Sequence, residues 1–182
     1  MALIPKTVTY YPQLVEPNSA HQMYHYLVTN VPWGAGIRSR FHGETRKAYA
    51  VNPGQETGSV DRLLSGLVRQ VVEAIPWVGS FSLPDGRCCR PYEIGGIYVN
   101  WYRTGKDFAP THSHEGTAQL VISLGQTRTL QVNSKKYVLG SGDVIVFGEA
   151  PHSLLREPDL VGDATGRISI AVFLIPVQHL VT

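Results

Sequence analysis

The hydrophobic pattern of this chain changes period about halfway along. In the first half, two segments repeat apolar residues at helical spacing. Over Ala20 to Val28 (AHQMYHYLV), residues Met23, Tyr24, Leu27 and Val28 share one face, after the helix-start signals Glu16-Pro17-Asn18-Ser19. Further on, Leu63, Leu64, Leu67, Val68, Val71, Val72 and Ile75 form an apolar stripe, with Asp61 placed to cap the helix and Pro76-Trp77 to end it. From Gly96 onward the apolar runs shorten and glycine punctuates them. Strands are expected over Ile97–Arg103, Gln119–Leu124, Arg128–Val132, Lys136–Leu139, Val144–Phe147, His152–Arg156 and Arg167–Ile175. Two helices followed by many short strands predict an α+β, mainly β chain whose second half is a barrel or sandwich.

Shorter segments fill the gaps. Thr7 to Leu14 reads as a strand entering a turn at Pro12, and Val78 to Glu93 as an irregular connection. Ile37 to His42 and Thr45 to Val51 alternate basic with apolar or aromatic residues. Such strands fit one packed face and one face offered to phosphates, or equally a solvated edge kept from aggregating by charge.

Size and charge narrow this little. At 182 residues one domain is expected, large enough to bury about 70% of its unfolded surface. A net charge of +2 permits nucleic-acid binding without arguing for it. No basic leader with a long apolar run and no stretch near the ~20 residues of a membrane span appears, so a soluble, intracellular and most simply cytoplasmic protein is expected. Adjacent Cys88 and Cys89 read as reduced thiols in a loop, because a bridge between neighbours is strained.

Chemistry enters with the histidines. His112-Ser113-His114 follows an extended run and precedes the apolar Leu120 to Leu124. On a strand, residues i and i+2 share a face, so both imidazoles could chelate one metal ion. Glu115 would then point away. The segment Gly140 to His152 (GSGDVIVFGEAPH) reads as a turn, a buried strand and a Gly/Pro loop that delivers a third histidine. Double-stranded β-helix, or jelly-roll, barrels assemble ligands in this way. His112, His114 and His152 are therefore the candidate metal ligands, in a β-helix barrel (96–182) with two N-terminal helices packed outside (1–95). His21 and His25, at i and i+4 of the first helix, have no third ligand and read as ordinary partly exposed residues.

Tyr98-Val99-Asn100-Trp101-Tyr102-Arg103-Thr104-Gly105-Lys106-Asp107 resembles the N-x-Y-x-x-G-x-D stretch of the AlkB family of Fe(II)/2-oxoglutarate oxygenases, which repair or demethylate alkylated nucleic acids. Val121 to Gly125, Gly142-Asp143-Val144 and Arg167-Ile168-Ser169 extend the similarity, with Thr45 to Ala48 and Trp33 more loosely alike. The resemblance implies Fe(II) and 2-oxoglutarate as cofactors, dioxygen as co-substrate, and an alkylated nucleobase as the C–H substrate. It makes Asn100 and Tyr102 hydrogen-bond partners of 2-oxoglutarate, with Arg167 pairing one of its carboxylates through a planar, bidentate guanidinium. It also makes Arg38, Arg40, Arg46 and Lys47 phosphate contacts, and Trp33 or Trp101 a stacking surface for a base.

The chain departs from that family at three places. His114 replaces Asp, Arg156 stands where the last His is usual, and Phe173 replaces a second Arg. These departures imply either a three-His centre with His152 as third ligand, or a barrel that has lost iron chemistry and binds without reacting. The same histidines resemble the two cupin motifs, with Gln119 where cupins often place Glu, which implies a three-His dioxygenase acting on a small molecule without 2-oxoglutarate.

Overall fold

The computed structural model describes residues 4–40, 43–79, 81–82, 88–160 and 166–177. Phe41, His42, Asp85, Gly86 and the thiols of Cys88 and Cys89 lie outside what is described. The elements run β1 (Thr9–Tyr11), α1 (Pro17–Asn30), β2 (Ile37–Ser39), β3 (Gly43–Val51), α2 (Ser59–Glu73), β4 (Phe81–Ser82), β5 (Cys88–Cys89), β6 (Tyr92–Tyr102), β7 (Ala109–His112), β8 (Ala118–Gly125), β9 (Arg128–Val132), β10 (Lys135–Leu139), β11 (Val144–Phe147), β12 (His152–Leu154) and β13 (Arg167–Pro176).

Every strand pair among the described residues is antiparallel, in a seven-stranded sheet ordered β1-β11-β8-β13-β6-β3-β2 and a four-stranded sheet ordered β10-β9-β12-β7, with β4-β5 as a separate two-stranded sheet. This is the expected double-stranded β-helix, built as two hydrogen-bonded sheets rather than one sheet closed on itself. The segment expected to be irregular before Glu93 instead contains β4, β5 and the start of β6, because β6 pairs with β13 back to Tyr92.

Both faces of the large sheet are covered, and the pleat divides its side chains between two cores. Leu120, Ile122 and Leu124 of β8, with Ile168, Ile170 and Val172 of β13, pack with Leu27 of α1 and Leu64, Val68 and Val71 of α2. Val121 of β8 turns the other way and joins Leu130, Leu139, Phe147 and Leu154 between the sheets. Burial on both faces explains why β8 and β11 read as continuous apolar runs rather than alternating ones. Each fully buried Leu or Ile stabilises the fold by about 1.5–3 kcal/mol relative to exposure.

Two carboxylates pin peripheral elements to this frame. Asp61 does not cap α2, whose N-cap is Gly58. It sits in the first turn and accepts hydrogen bonds from Tyr49 Oη (2.6 Å) and from Thr57 N and Oγ1 (3.1 Å each), which fastens α2 to β3. The cap of α1 is Glu16, whose carboxylate accepts from Asn18 N and Ser19 N. Asp143 accepts from Tyr10 Oη (2.6 Å), Gln13 N (2.9 Å) and Gly140 N (2.7 Å), so the Gly-Asp unit before β11 locks β1 against the sheet. Gly142 beside it has φ +90°, and a Cβ there would collide with the carbonyl of Val15. No described helix is long and apolar enough to cross a membrane.

Candidate metal centre and cavity

The antiparallel pairing of β7 with β12 sets His152 directly opposite His112, their ring centroids 4.3 Å apart. His114 reaches the same point differently from the expectation. Strand β7 ends at His112, so His114 stands in the following turn, and its convergence comes from loop conformation rather than strand alternation. Glu149 holds this turn from the β11–β12 loop by accepting a hydrogen bond from Gly116 N at 2.6 Å. The three imidazoles offer ligand nitrogens that all lie within 4.8 Å of one another. Glu115 is exposed and apart, and Arg156 is exposed with its guanidinium 4.0 Å above the Phe108 ring, so the residue that stands with His112 and His114 is His152.

Backbone carbonyls orient two of the rings. His112 Nδ1 lies 2.7 Å from Pro110 O and His152 Nδ1 lies 3.0 Å from Ala150 O. A carbonyl can only accept, so Nδ1 carries the proton and Nε2 keeps its lone pair for a metal. Burial pushes His152 down to about 4, against the raising effect of the Ala150 carbonyl and with further lowering by His112 and His114. Burial also lowers His114, with His112 adding to the effect. Both rings are thus neutral near pH 7, the state a metal needs. Phe173 packs edge-on against His114, centroids 4.6 Å apart, and Phe147 against His152 at 4.8 Å.

The histidines line a cavity of about 430 Å³ between the sheets. Its floor is one face of the large sheet: Arg46 and Ala48 of β3, Tyr98, Asn100 and Tyr102 of β6, and Arg167, Ser169, Ala171 and Phe173 of β13. The register explains the grouping, because Arg167 faces Tyr102 and Gly125 while Ser169 faces Asn100 and Ser123. Arg167 is only 1% exposed. Its Nε donates to Ser123 Oγ at 3.0 Å, while Nη2 is buried with no hydrogen-bond partner among the described residues. Burial pushes its pKa down to about 10, which still leaves it charged at neutral pH. An unpaired guanidinium in an apolar interior is costly, and an anion bound there would remove the cost.

Other expected residues separate into two groups. Asn100, Tyr102, Arg167 and Arg46 meet in the cavity, where Arg46 Nε donates to Asn100 Oδ1 at 2.8 Å. Trp33, Trp101 and Lys47 do not line it. Trp101 alternates with Asn100 and Tyr102 and so points to the helix side of the sheet, where its ring lies 5.4 Å from that of Trp33. Lys47 is opposite Trp101 in the register and pairs with Glu44 at 3.2 Å. Arg38 and Arg40 are exposed, next to the cavity-lining Ile37. Ser123, the partner of Arg167, was not among the expected site residues. Only the strand register identifies it, since one serine in an apolar run carries no local signal.

No protein-family model matches the chain, and no curated protein matches it in sequence. Solved structures do match in fold. A Pseudomonas putida prolyl-4-hydroxylase aligns with TM-score 0.54 and 13% identity over 93% of this chain and 92% of its own. The non-heme alpha ketoglutarate dependent epimerase SnoN from nogalamycin biosynthesis aligns with TM-score 0.62 and 12% identity, covering 94% and 79%. The carbocyclase SnoK, alpha ketoglutarate dependent and from the same biosynthesis, aligns with TM-score 0.59 and 10% identity, covering 93% and 80%. The chain thus shares the double-stranded β-helix fold of these oxygenases.

Proposed function

We propose that this protein is an Fe(II)/2-oxoglutarate-dependent oxygenase with a three-His metal centre. The observation that carries the proposal is the pairing, in one cavity, of three convergent imidazoles with a buried guanidinium whose Nη2 lacks a partner among the described residues. His112, His114 and His152 would hold the metal, and nitrogen ligands of this kind suit iron. Arg167, oriented by Ser123, would bind one carboxylate of 2-oxoglutarate, with Tyr102 and Asn100 beside it. When bound, the iron and its cosubstrate supply the oxidation of a substrate C–H bond by dioxygen, with 2-oxoglutarate converted to succinate and carbon dioxide. The chain's own residues hold the ligands, pair the acid and exclude water with Val121, Leu130 and Leu154.

The narrower reading, an alkylated nucleobase as substrate, draws support from the cavity's aromatic side. Tyr98 and Phe173 lie edge to face at 5.0 Å and offer a ring surface, while Arg38 and Arg40 beside Ile37 offer charge to phosphates. Trp33 and Trp101 are committed to the opposite face and take no part in it.

Arg167 separates this reading from a cupin-type enzyme or an inert binding module, neither of which calls for a buried, unpaired cation. The test is anaerobic reconstitution with Fe(II), then succinate release from 2-oxoglutarate on admission of oxygen. Iron at one per chain with succinate formed supports the proposal. Metal uptake without 2-oxoglutarate binding points to the cupin reading, and no metal uptake to a binding module.

A further inference from the structure

The cavity carries more positive charge than the metal and 2-oxoglutarate account for. Among the described residues its lining contains two arginines, Arg46 and Arg167, and no aspartate or glutamate. With His114 in place of an acidic ligand, the protein contributes no negative charge to the metal. A divalent metal and two guanidinium groups sum to four positive charges, and 2-oxoglutarate returns only two. Arg46 is the group left uncompensated. Its Nε donates to Asn100 Oδ1 (2.8 Å) and its Nη1 to Thr45 Oγ1 (3.3 Å), both neutral acceptors. The nearby carboxylate of Glu44 is engaged by Arg103 Nη1 at 2.6 Å and Lys47 Nζ at 3.2 Å.

Arg46 also stands apart from Arg167. The strand order β13-β6-β3 places one strand between them, so their backbones lie roughly 10 Å apart across the sheet. Arg167, buried and with an unpartnered Nη2, is the group placed for the cosubstrate carboxylate, which leaves Arg46 for a second anion. Resting on the oxygenase reading above, we infer that the substrate carries an oxyacid group, a carboxylate or a phosphate, and that Arg46 binds it. Asn100 and Thr45 hold the guanidinium at the cavity wall. The Tyr98 and Phe173 rings, which line the same cavity, would flank the body of the substrate.

The experiment is calorimetric titration of the Co(II)-loaded protein, saturated with 2-oxoglutarate, at low ionic strength. Benzoate, phenyl phosphate and neutral benzyl alcohol serve as probes. The wild type is expected to bind one of the anions at least about tenfold more tightly than the alcohol, and Arg46→Gln to lose that preference while Arg46→Lys keeps part of it. Preference for phenyl phosphate identifies a phosphorylated substrate such as a nucleotide, and preference for benzoate a carboxylic acid. Equal binding of all three probes by the wild type overturns the inference, as does an acid preference that survives in Arg46→Gln. A third contrary result is loss of 2-oxoglutarate affinity in Arg46→Gln as large as in Arg167→Gln, which would assign Arg46 to the cosubstrate. Should 2-oxoglutarate not bind the wild type, the oxygenase reading fails. The comparison is then made with Arg167→Gln in both proteins, so that Arg46 is still judged alone.

Discussion

His112 and His152 are cross-strand partners, so the hydrogen bonding of β7 to β12 and the convergence of the two imidazoles depend on the same register. A slip of one residue would turn one imidazole out of the cavity. The two rings are further held by carbonyls two residues upstream of each, Pro110 and Ala150.

Alanine at His112, His114 or His152 should abolish stoichiometric metal binding, whereas Arg156→Ala should leave it unchanged. Co(II) titration followed by absorbance and metal analysis reads both. Retention of metal by His152→Ala together with its loss in Arg156→Ala would refute the ligand assignment.

Removing the support behind a ligand should weaken the metal without unfolding the protein. Phe173→Ala takes away the ring against His114, and an affinity loss of about 10–100-fold is expected, the usual cost of disturbing a ligand's supporting shell. The same titration, with thermal melting as the control for folding, checks it.

Arg167→Met should separate stability from function. A buried charge with an unpaired Nη2 is replaced by an apolar chain of similar reach, so the melting temperature of the ligand-free protein should rise or hold. Affinity for 2-oxoglutarate should fall by about tenfold or more, the loss of a charged hydrogen-bonded pair. A melting temperature that drops by several degrees would show that the cation is already compensated in the free protein.

Alkaline pH should loosen the periphery. Tyr10 is pushed up to about 12 by its hydrogen bond to Asp143, and Tyr49 to about 12 by its bond to Asp61. The folded state therefore holds these protons after the unfolded state has lost them. Their contribution is complete below about 10, the unfolded value, and disappears as pH rises through about 12. Melting temperature measured from pH 9 to 12 should fall along this range. The Tyr10→Phe/Tyr49→Phe protein should start lower at pH 9 and fall less steeply.

Much of this architecture is legible in the sequence because it rests on short-range periodicity. The α2 stripe and the bounds of Arg128–Val132 and Val144–Phe147 follow from side chains alternating between buried and exposed positions, or from runs buried on both faces. The three clustered histidines were legible as well, because H-x-H and a His after a Gly-Asp strand are local patterns. Asp61 illustrates the limit. Its sequence position suits a cap, but the helix starts at Ser59, and from the first turn Asp61 binds both the local Thr57 and Tyr49 of a distant strand, a partner that no local pattern names.

The sequence by itself thus determined two helices, a β-rich second half and the identity of the clustered histidines. Only the tertiary structure decided that Arg156 turns away to Phe108, that His114 converges from a turn rather than a strand, and that Ser123 orients Arg167. It also decided that Trp33 and Trp101 pack together on the helix side, while Arg46 and Arg167 reach the cavity from strands far apart in the chain. The physical reason is common to all of these. Which face a residue of β6 or β13 presents, and which distant residue it meets there, is set by strand register and sheet order, and those arise from long-range pairing that no local pattern encodes.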